Sequence, residues 1–331
     1  MTTTPPRLVL LGTAGGPLPS PHRQGISQAV VVGDRVHLVD CGSGVTRQLR
    51  RARLLSSLHQ VYLTHLHSDH VSEYFNLFLC GWPILQWNPP VRVFGPGPAG
   101  GVAAFPPSPA GGPEIPVVVP DDPTPGLARL HHHQLAAHAY DINIRMRDSG
   151  RSDLSALVVP HEIPLPEGIG AEAPERVAPP MEPLVISEDD DVVVTAILVD
   201  HPPVFPAFAF RFDTDAGSVV ISGDTAPSAN LVRLARGADI LVHEVFTDPG
   251  HIHADDEDDW EARQRQHHLL NSHTPLSKVG SVAAEAGVAR LVLTHFIPGD
   301  DDVADERWLK GASAGFDGEV VVGHDLLELT L

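Results

Sequence analysis

Val61-Tyr62-Leu63-Thr64-His65-Leu66-His67-Ser68-Asp69-His70 carries three imidazoles and a carboxylate in its last six positions. Val61 to Leu63 is β-branched and aromatic and reads as a strand end. His65 and His67 are two apart, so on an extended backbone both rings leave one face. Asp69 and His70 fall where the chain turns out of the strand. Imidazole nitrogen and carboxylate oxygen are the ligands that zinc takes at about 2.0–2.2 Å, and the arrangement can serve two metal ions at once. A solvated polar loop is the plain alternative, but it leaves the density of such groups unexplained, because buried His and Asp need partners.

Working outward, the 331 residues, 42% of them hydrophobic, carry a net charge of −20. Such a chain can bury a sizeable core and belongs to acidic, soluble, globular proteins rather than disordered ones. Of the 22 basic residues only Lys278 and Lys310 are lysines. No basic stripe that would grip nucleic-acid phosphates stands out, although a local patch on an acidic protein escapes this test. Cys41 and Cys80 are the only cysteines, so no disulfide framework is implied and a reducing cytoplasm is the expected setting. No apolar run approaches the roughly 20 residues that a bilayer crossing needs. Leu8 to Leu11, after Arg7, is too short for a signal sequence and ends in a Gly-rich turn.

Arg7 to Leu11 reads as a buried strand, stopped by Gly12-Thr13-Ala14-Gly15-Gly16-Pro17. Ala29 to Val32 and Val36 to Val39 flank the tight turn Gly33-Asp34 as a hairpin. Asp40-Cys41-Gly42-Ser43-Gly44 follows, then Val45 to Leu54, an amphipathic helix with Arg47, Arg50, Arg51 and Arg53. Beyond the motif, Val71 to Trp82 reads as a helix with Phe75, Leu79 and Trp82 on one face. Strand, turn, hairpin, helix, motif strand, helix is the opening order of a four-layer αββα sandwich, an α/β fold with helices outside two packed sheets.

Val91 to Pro96 is a short strand and turn, proline and glycine dominate from Gly95 to Gly126, and Pro164 to Pro183 is Pro-rich again. Residues of about 95–190 therefore read as an irregular insertion in a single domain spanning 1–331, one that shapes the substrate entrance. Within it, Ile142 to Met146 and Leu154 to Val159 look like strands. His131-His132-His133 fall in a helical stretch whose adjacent side chains point apart, so a solvated face is expected there.

Val192 to Val199 runs into Asp200-His201-Pro202-Pro203, which holds His201 rigidly at a sheet edge as a candidate third imidazole. His161, also at a strand end, is its rival. Ala207 to Phe212 and Ser218 to Ile221 form a hairpin leading into Ser222-Gly223-Asp224-Thr225. There Gly223 permits close backbone approach and Asp224 can bridge two cations; capping of a helix from Ala229 to Arg236 is its plain alternative. Asp239 to Glu244 is another strand. His251-Ile252-His253, beside the acidic run Asp255 to Asp259, has no hydrophobic strand before it and reads as a solvated loop. Asn271-Ser272-His273-Thr274 starts a helix, Arg290 to Phe296 is the last core strand with His295 at its end, and Val320 to Val322 closes a sheet edge.

Thr64 to His70 resembles the H-x-H-x-D-H signature of the metallo-β-lactamase fold superfamily. Leu11-Gly12-Thr13, Leu38 to Gly42, Ser222 to Thr225, Ser272-His273-Thr274 and Leu293 to Phe296 are similar to stretches of its ribonuclease Z and arylsulfatase-like branch. The resemblance implies His65, His67 and His201 on one zinc ion, Asp69, His70 and His295 on a second, and Asp224 between them. Mn2+ or Fe are other metals such ligands accept. It also implies Asp40 as a group that orients a ligand loop. Asp69, His273 and Glu244 are the implied catalytic groups, with His273 giving a proton to the leaving oxygen or holding a non-bridging one, and Glu244 orienting its ring. A plain helix N-terminal role is the alternative for His273.

Two cations about 3.5–4 Å apart lower the pKa of a shared water toward 7. The activity implied is hydrolysis of an ester-type bond, in an aryl sulfate, phosphodiester or lactone, by a metal-bridging hydroxide. The scarcity of lysine favours a small-molecule anionic or ester substrate and disfavours nucleic acid. Ribonuclease Z-like processing of transfer RNA 3′ ends is the alternative, and a non-catalytic metal-binding scaffold the more distant one. No membrane partner is expected, and a homodimer is left open.

Overall fold

The computed structural model describes residues 5–100, 115–170, 173, 175–247, 260–299 and 303–331. Its strands are β1 (Arg7–Gly12), β2 (Ser27–Val32), β3 (Arg35–Val39), β4 (Leu58–Tyr62), β5 (Val91–Gly95), β6 (Val158–Glu162), β7 (Leu184–Glu188), β8 (Val192–Leu198), β9 (Phe208–Thr214), β10 (Gly217–Ile221), β11 (Ile240–Phe246), β12 (Arg290–Ile297), β13 (Glu319–Val322) and β14 (Leu327–Thr330). They form two seven-stranded mixed sheets, ordered β14-β1-β2-β3-β4-β5-β6 and β13-β12-β11-β10-β9-β8-β7.

The uninterrupted apolar runs of the sequence follow from burial on both faces. In β1, Leu8 and Leu10 point into the core between the sheets, whereas Val9 and Leu11 point outward under helices. Val30 and Tyr62 share the first face, Val31 and Val61 the second. The outer cover of the first sheet comes from α1 (Val45–Arg51) and α3 (Tyr74–Leu85), the latter following the short α2 (Ser68–Val71). The other sheet is covered by α6 (Ala229–Ala235), α8 (Leu276–Ala286) and α9 (Asp305–Ala312), where Trp308 packs on Phe296 with ring centroids 4.9 Å apart. This is the four-layer α/β sandwich expected from the sequence, and no helix among the described residues is long and apolar enough to cross a membrane.

Strand direction is what gathers the polar groups. β3, β4, β5 and β6 are mutually parallel, as are β10, β11, β12 and β13, and β8 runs with β10 because each is antiparallel to β9. Ligands in parallel open sheets bind at the carboxyl ends of strands. Asp40 follows β3, Thr64 and His65 follow β4, His201 follows β8, and Asp224 follows β10.

The stretch of about residues 95–190 is less irregular than its composition suggests. It contains α4 (Leu127–Ala137), α5 (Ala139–Asp148), and strands β6 and β7, each on a sheet edge. Ile142 to Met146 is helix, not strand. Ile142 is buried, Met146 packs beside it one turn on, and Ile144 faces out, while Arg145 pairs with Asp141 at i,i+4. Apolar residues two apart fit a strand, but Ile142 and Met146 are also four apart, and the tertiary contact decides. Leu154 to Ala156 is a single 3-10 turn, so that strand begins only at Val158. His131 is buried against Tyr74, its Nδ1 3.0 Å from the phenol oxygen, so only His132 and His133 have the solvated face expected of all three. His251, His253 and the acidic run beside them lie outside the described residues.

Gly223 has φ +60, and a Cβ there would lie 2.7 Å from the Phe208 carbonyl oxygen and 3.0 Å from Thr64 Cβ. Gly223→Ala should therefore cost roughly 1–3 kcal/mol of stability, read from the denaturant midpoint. A midpoint indistinguishable from wild type would mean that the backbone relaxes there without strain.

Candidate metal centre

The motif loop is fixed from beneath by Asp40, which holds a left-handed backbone (φ 60) just after β3. The Thr64 backbone N–H donates to Asp40 Oδ1 at 2.8 Å and its hydroxyl donates to Oδ2 at 2.9 Å. His70 Nδ1 donates to the same Oδ2 at 2.8 Å. A carboxylate can only accept, so the proton is set on Nδ1 and Nε2 is turned toward the other histidines. His201 is set the same way, its Nδ1 donating to the Ser272 carbonyl at 2.8 Å and its Nε2 lying 3.3 Å from His67 Nδ1. His295 is the extra residue of a bulge, since Glu244 pairs with Thr294 and Val245 with Phe296. Its φ of 46 turns the ring off the strand, and a Cβ on Gly15 would lie less than 3.0 Å from that ring.

These constraints bring seven side chains together in two groups of four. One ligand atom from each of His65, His67, His201 and Asp224 lies within 4.8 Å of the others, and the same holds for Asp69, His70, Asp224 and His295. Asp224 belongs to both. Its Oδ1 is 3.2 Å from His70 Nε2 and 3.2 Å from His295 Nε2, and its Oδ2 is 3.8 Å from His65 Nε2. Both Asp224 oxygens and His65 Nε2 are nevertheless buried with no hydrogen-bond partner among the described residues. Converging lone pairs and orphaned oxygens in one dry space are what a cation satisfies and what packing alone does not.

The charges agree with this. Burial, then the neighbouring His70, His67 and His201, hold His65 well below the usual histidine range, and burial does the same to His201. Both are neutral imidazoles with a lone pair to give. Burial opposes ionisation of Asp224, but His295 and His70 outweigh it and keep the carboxyl well below its usual range. Burial likewise acts to lower His70, and Asp224, Asp40 and Asp69 override it, holding His70 well above the ordinary value. A divalent cation in this place would take over the role of that proton.

A second layer adjoins the first. His273 Nδ1 donates to Glu244 Oε1 at 3.0 Å, and the same oxygen accepts the Thr225 N–H at 2.8 Å. Burial acts to lower His273, but Glu244, with Asp224 and Asp69 behind it, holds it up to about 9. His268, on α7 (Trp260–Ser272), was not singled out by the sequence. Its ring centroid is 5.2 Å from that of His273, 5.7 Å from His201 and 6.2 Å from His67. The available signal was its place one helical turn before Ser272, on the face that carries the Ser-His-Thr stretch. His161, in β6, belongs to neither group and stacks on Phe94 of β5 with ring centroids 5.1 Å apart.

A cavity of about 430 Å³ opens beside His67, walled by Leu66, Val71 and Phe205 together with prolines such as Pro96, Pro123 and Pro203. Asp40→Asn removes an acceptor from His70 Nδ1 while keeping the side chain's shape. It should weaken zinc binding about 10–100-fold in a chelator competition with the fold retained; equal affinity in the two proteins would rule out the orienting role of Asp40.

No protein-family model matches the chain. It is 32% identical over 323 residues, 96% of either chain, to Ribonuclease Z of Mycobacterium bovis. It is also similar to two solved structures, each with a TM-score of 0.61. The metallo-beta-lactamase fold protein YhfI from Bacillus subtilis has 18% identity, covering 98% of this chain and 99% of that one. Human tRNase Z, short form, has 20% identity, with 98% of either chain covered. A sandwich of two mixed sheets that converges histidines and aspartates at its strand ends, with a relative this similar from end to end, identifies the chain as a metal-dependent hydrolase that belongs to the ribonuclease Z family of the metallo-β-lactamase fold.

Proposed function

We propose that the chain is an endonuclease of the ribonuclease Z type that processes the 3′ ends of precursor transfer RNA. The observation that carries this reading is the 32% identity across 96% of both chains with a protein named Ribonuclease Z. It replaces the small molecule favoured by the scarcity of lysine. That argument weighed the surface as a whole, whereas arginine also grips phosphate, and with two prongs. Arg47, Arg50 and Arg51 lie along one groove of α1, with Glu73 as the acidic group among its walls. A local patch of this kind is compatible with a net charge of −20. The apolar cavity beside His67 keeps a small aryl ester as the second reading.

The orphaned atoms and the donor set fit two divalent cations, zinc by ligand type. His65, His67 and His201 would hold one, Asp69, His70 and His295 the other, and Asp224 would be shared. Such ions supply Lewis-acid polarisation of a phosphoryl oxygen and a lowered pKa for water. The protein's own groups do the rest. Asp69, whose Oδ2 accepts the Gly16 N–H at 3.0 Å, orients the attacking water and takes its proton. The water oxygen bonds to phosphorus as the ester oxygen departs. His273, kept protonated by Glu244, gives that oxygen its proton.

Zinc-loaded protein should cut a precursor transfer RNA at its 3′ trailer. His273→Ala should lower turnover by about 10²–10⁴-fold while retaining both metals, whereas Asp224→Ala should lose metal and activity together. Metal analysis beside single-turnover cleavage decides. RNA left intact while an aryl sulfate or a lactone is hydrolysed would sink the RNA reading, and loss of metal from His273→Ala would remove His273 from the role of acid.

A further inference from the structure

Outside the seven converging side chains and the His273–Glu244 pair, one titratable group among the described residues faces the same space without a task. His268 Nδ1 lies 3.1 Å from Ser272 Oγ, and the Ser272 hydroxyl is itself hydrogen-bonded to the Pro202 carbonyl. A carbonyl can only accept, so the single serine proton goes to Pro202 and Ser272 Oγ can only accept from His268. The proton of a neutral His268 therefore sits on Nδ1, and Nε2 is left as an acceptor. That nitrogen has no hydrogen bond to any described residue, and a ligand atom of His268 lies within 4.8 Å of ligand atoms of both His201 and His273. His268 is half-buried, at the rim of the site rather than beneath it.

A phosphodiester group carries no hydrogen-bond donor, so an acceptor at this place does not serve the phosphate. A ribose does carry one, in its 2′-hydroxyl. We propose that His268 is a substrate-positioning residue whose Nε2 accepts a hydrogen bond from the 2′-hydroxyl of a ribose flanking the scissile phosphate. The proposal rests on the RNA-processing reading above, and deepens it by naming the group through which the site tells ribose from deoxyribose. The partner that makes this possible is Ser272, since its contact with Pro202 fixes which nitrogen of His268 is free.

The test compares wild type, His268→Ala and His268→Gln on precursor transfer RNA with all-ribose sugars and with one 2′-deoxy sugar on either side of the scissile phosphate. Bis(p-nitrophenyl) phosphate, which has no hydroxyl, is the control, and zinc content is measured in each protein. For wild type, one of the two deoxy substitutions should lower kcat/KM by about tenfold, the worth of one hydrogen bond. His268→Ala should show a similar loss on the all-ribose RNA and no further loss on that deoxy RNA. His268→Gln, whose carbonyl oxygen can accept at similar reach, should recover part of the loss. The loss should be larger on RNA than on bis(p-nitrophenyl) phosphate, with zinc content kept.

Additive losses from the deoxy sugar and His268→Ala would overturn the proposal. So would an equal loss on both substrates or a fall in zinc content, which would make His268 structural or a ligand. Wild-type protein that turns over bis(p-nitrophenyl) phosphate but cuts no RNA would instead overturn the reading beneath it, and the proposal with it.

Discussion

Asp224 is a buried carboxylate to which no described residue donates a hydrogen bond, with its two oxygens facing imidazole nitrogens from four directions. Taking an ion out of water costs several kcal/mol unless its charge is matched inside. Within this chain, the match comes from the surrounding imidazoles, and the same attraction, with Asp224 first among its sources, holds His70 above the ordinary histidine value against its burial. A pair of divalent cations would match the Asp224 charge more completely, because the one beside His65 and His201 would also use their lone pairs, which burial keeps free of protons. The same oxygens that would destabilise an ordinary core thus become the link between two groups of ligands.

Holding such a cluster requires that its members cannot retreat. The sandwich achieves this by burying the strands that lead to it, with residues such as Leu38, Val61, Val199 and Ile221 at or near zero exposure on the approach. The ligands then stand on the last residues before the chain turns, where the backbone is still tied into a sheet. Hydrogen bonds behind the cluster do the remaining orientation: Asp40 sets His70, the Ser272 carbonyl sets His201, and Glu244 sets His273. The backbone at Asp40 and His295 occupies the left-handed region, which non-glycine residues adopt at a cost and keep where the surroundings enforce it.

The chemistry is divided by position. Asp224, His65, His70 and His201 are buried and held in place, which suits groups that hold charge. His273 and Glu244, equally buried, stand beside them, and His268 is half-buried. Next to them, the apolar cavity beside His67 offers space walled by prolines and Phe205.

Much of this was legible in the chain itself, and for identifiable reasons. The period-2 and unbroken apolar runs announce two buried sheets, and the dense His/Asp stretch after β4 announces a metal site, because both signals are local and chemical. Residues two apart on an extended backbone must share a face whatever surrounds them. What lies far apart in sequence is different. That Asp224 reaches both groups, that His295 sits in a bulge, that His201 and not its rival His161 joins the cluster, and that His268 faces it depend on register and helix placement, which no single segment encodes. Ile142 to Met146 makes the same point in reverse, since its apolar spacing permits a strand or a helix, and only packing of Ile142 and Met146 against the helices over the first sheet selects the helix. Sequence alone determined which residue types were available and how each short segment alternates; the tertiary structure decided which of them meet, because contact across the sandwich is set by strand direction and register.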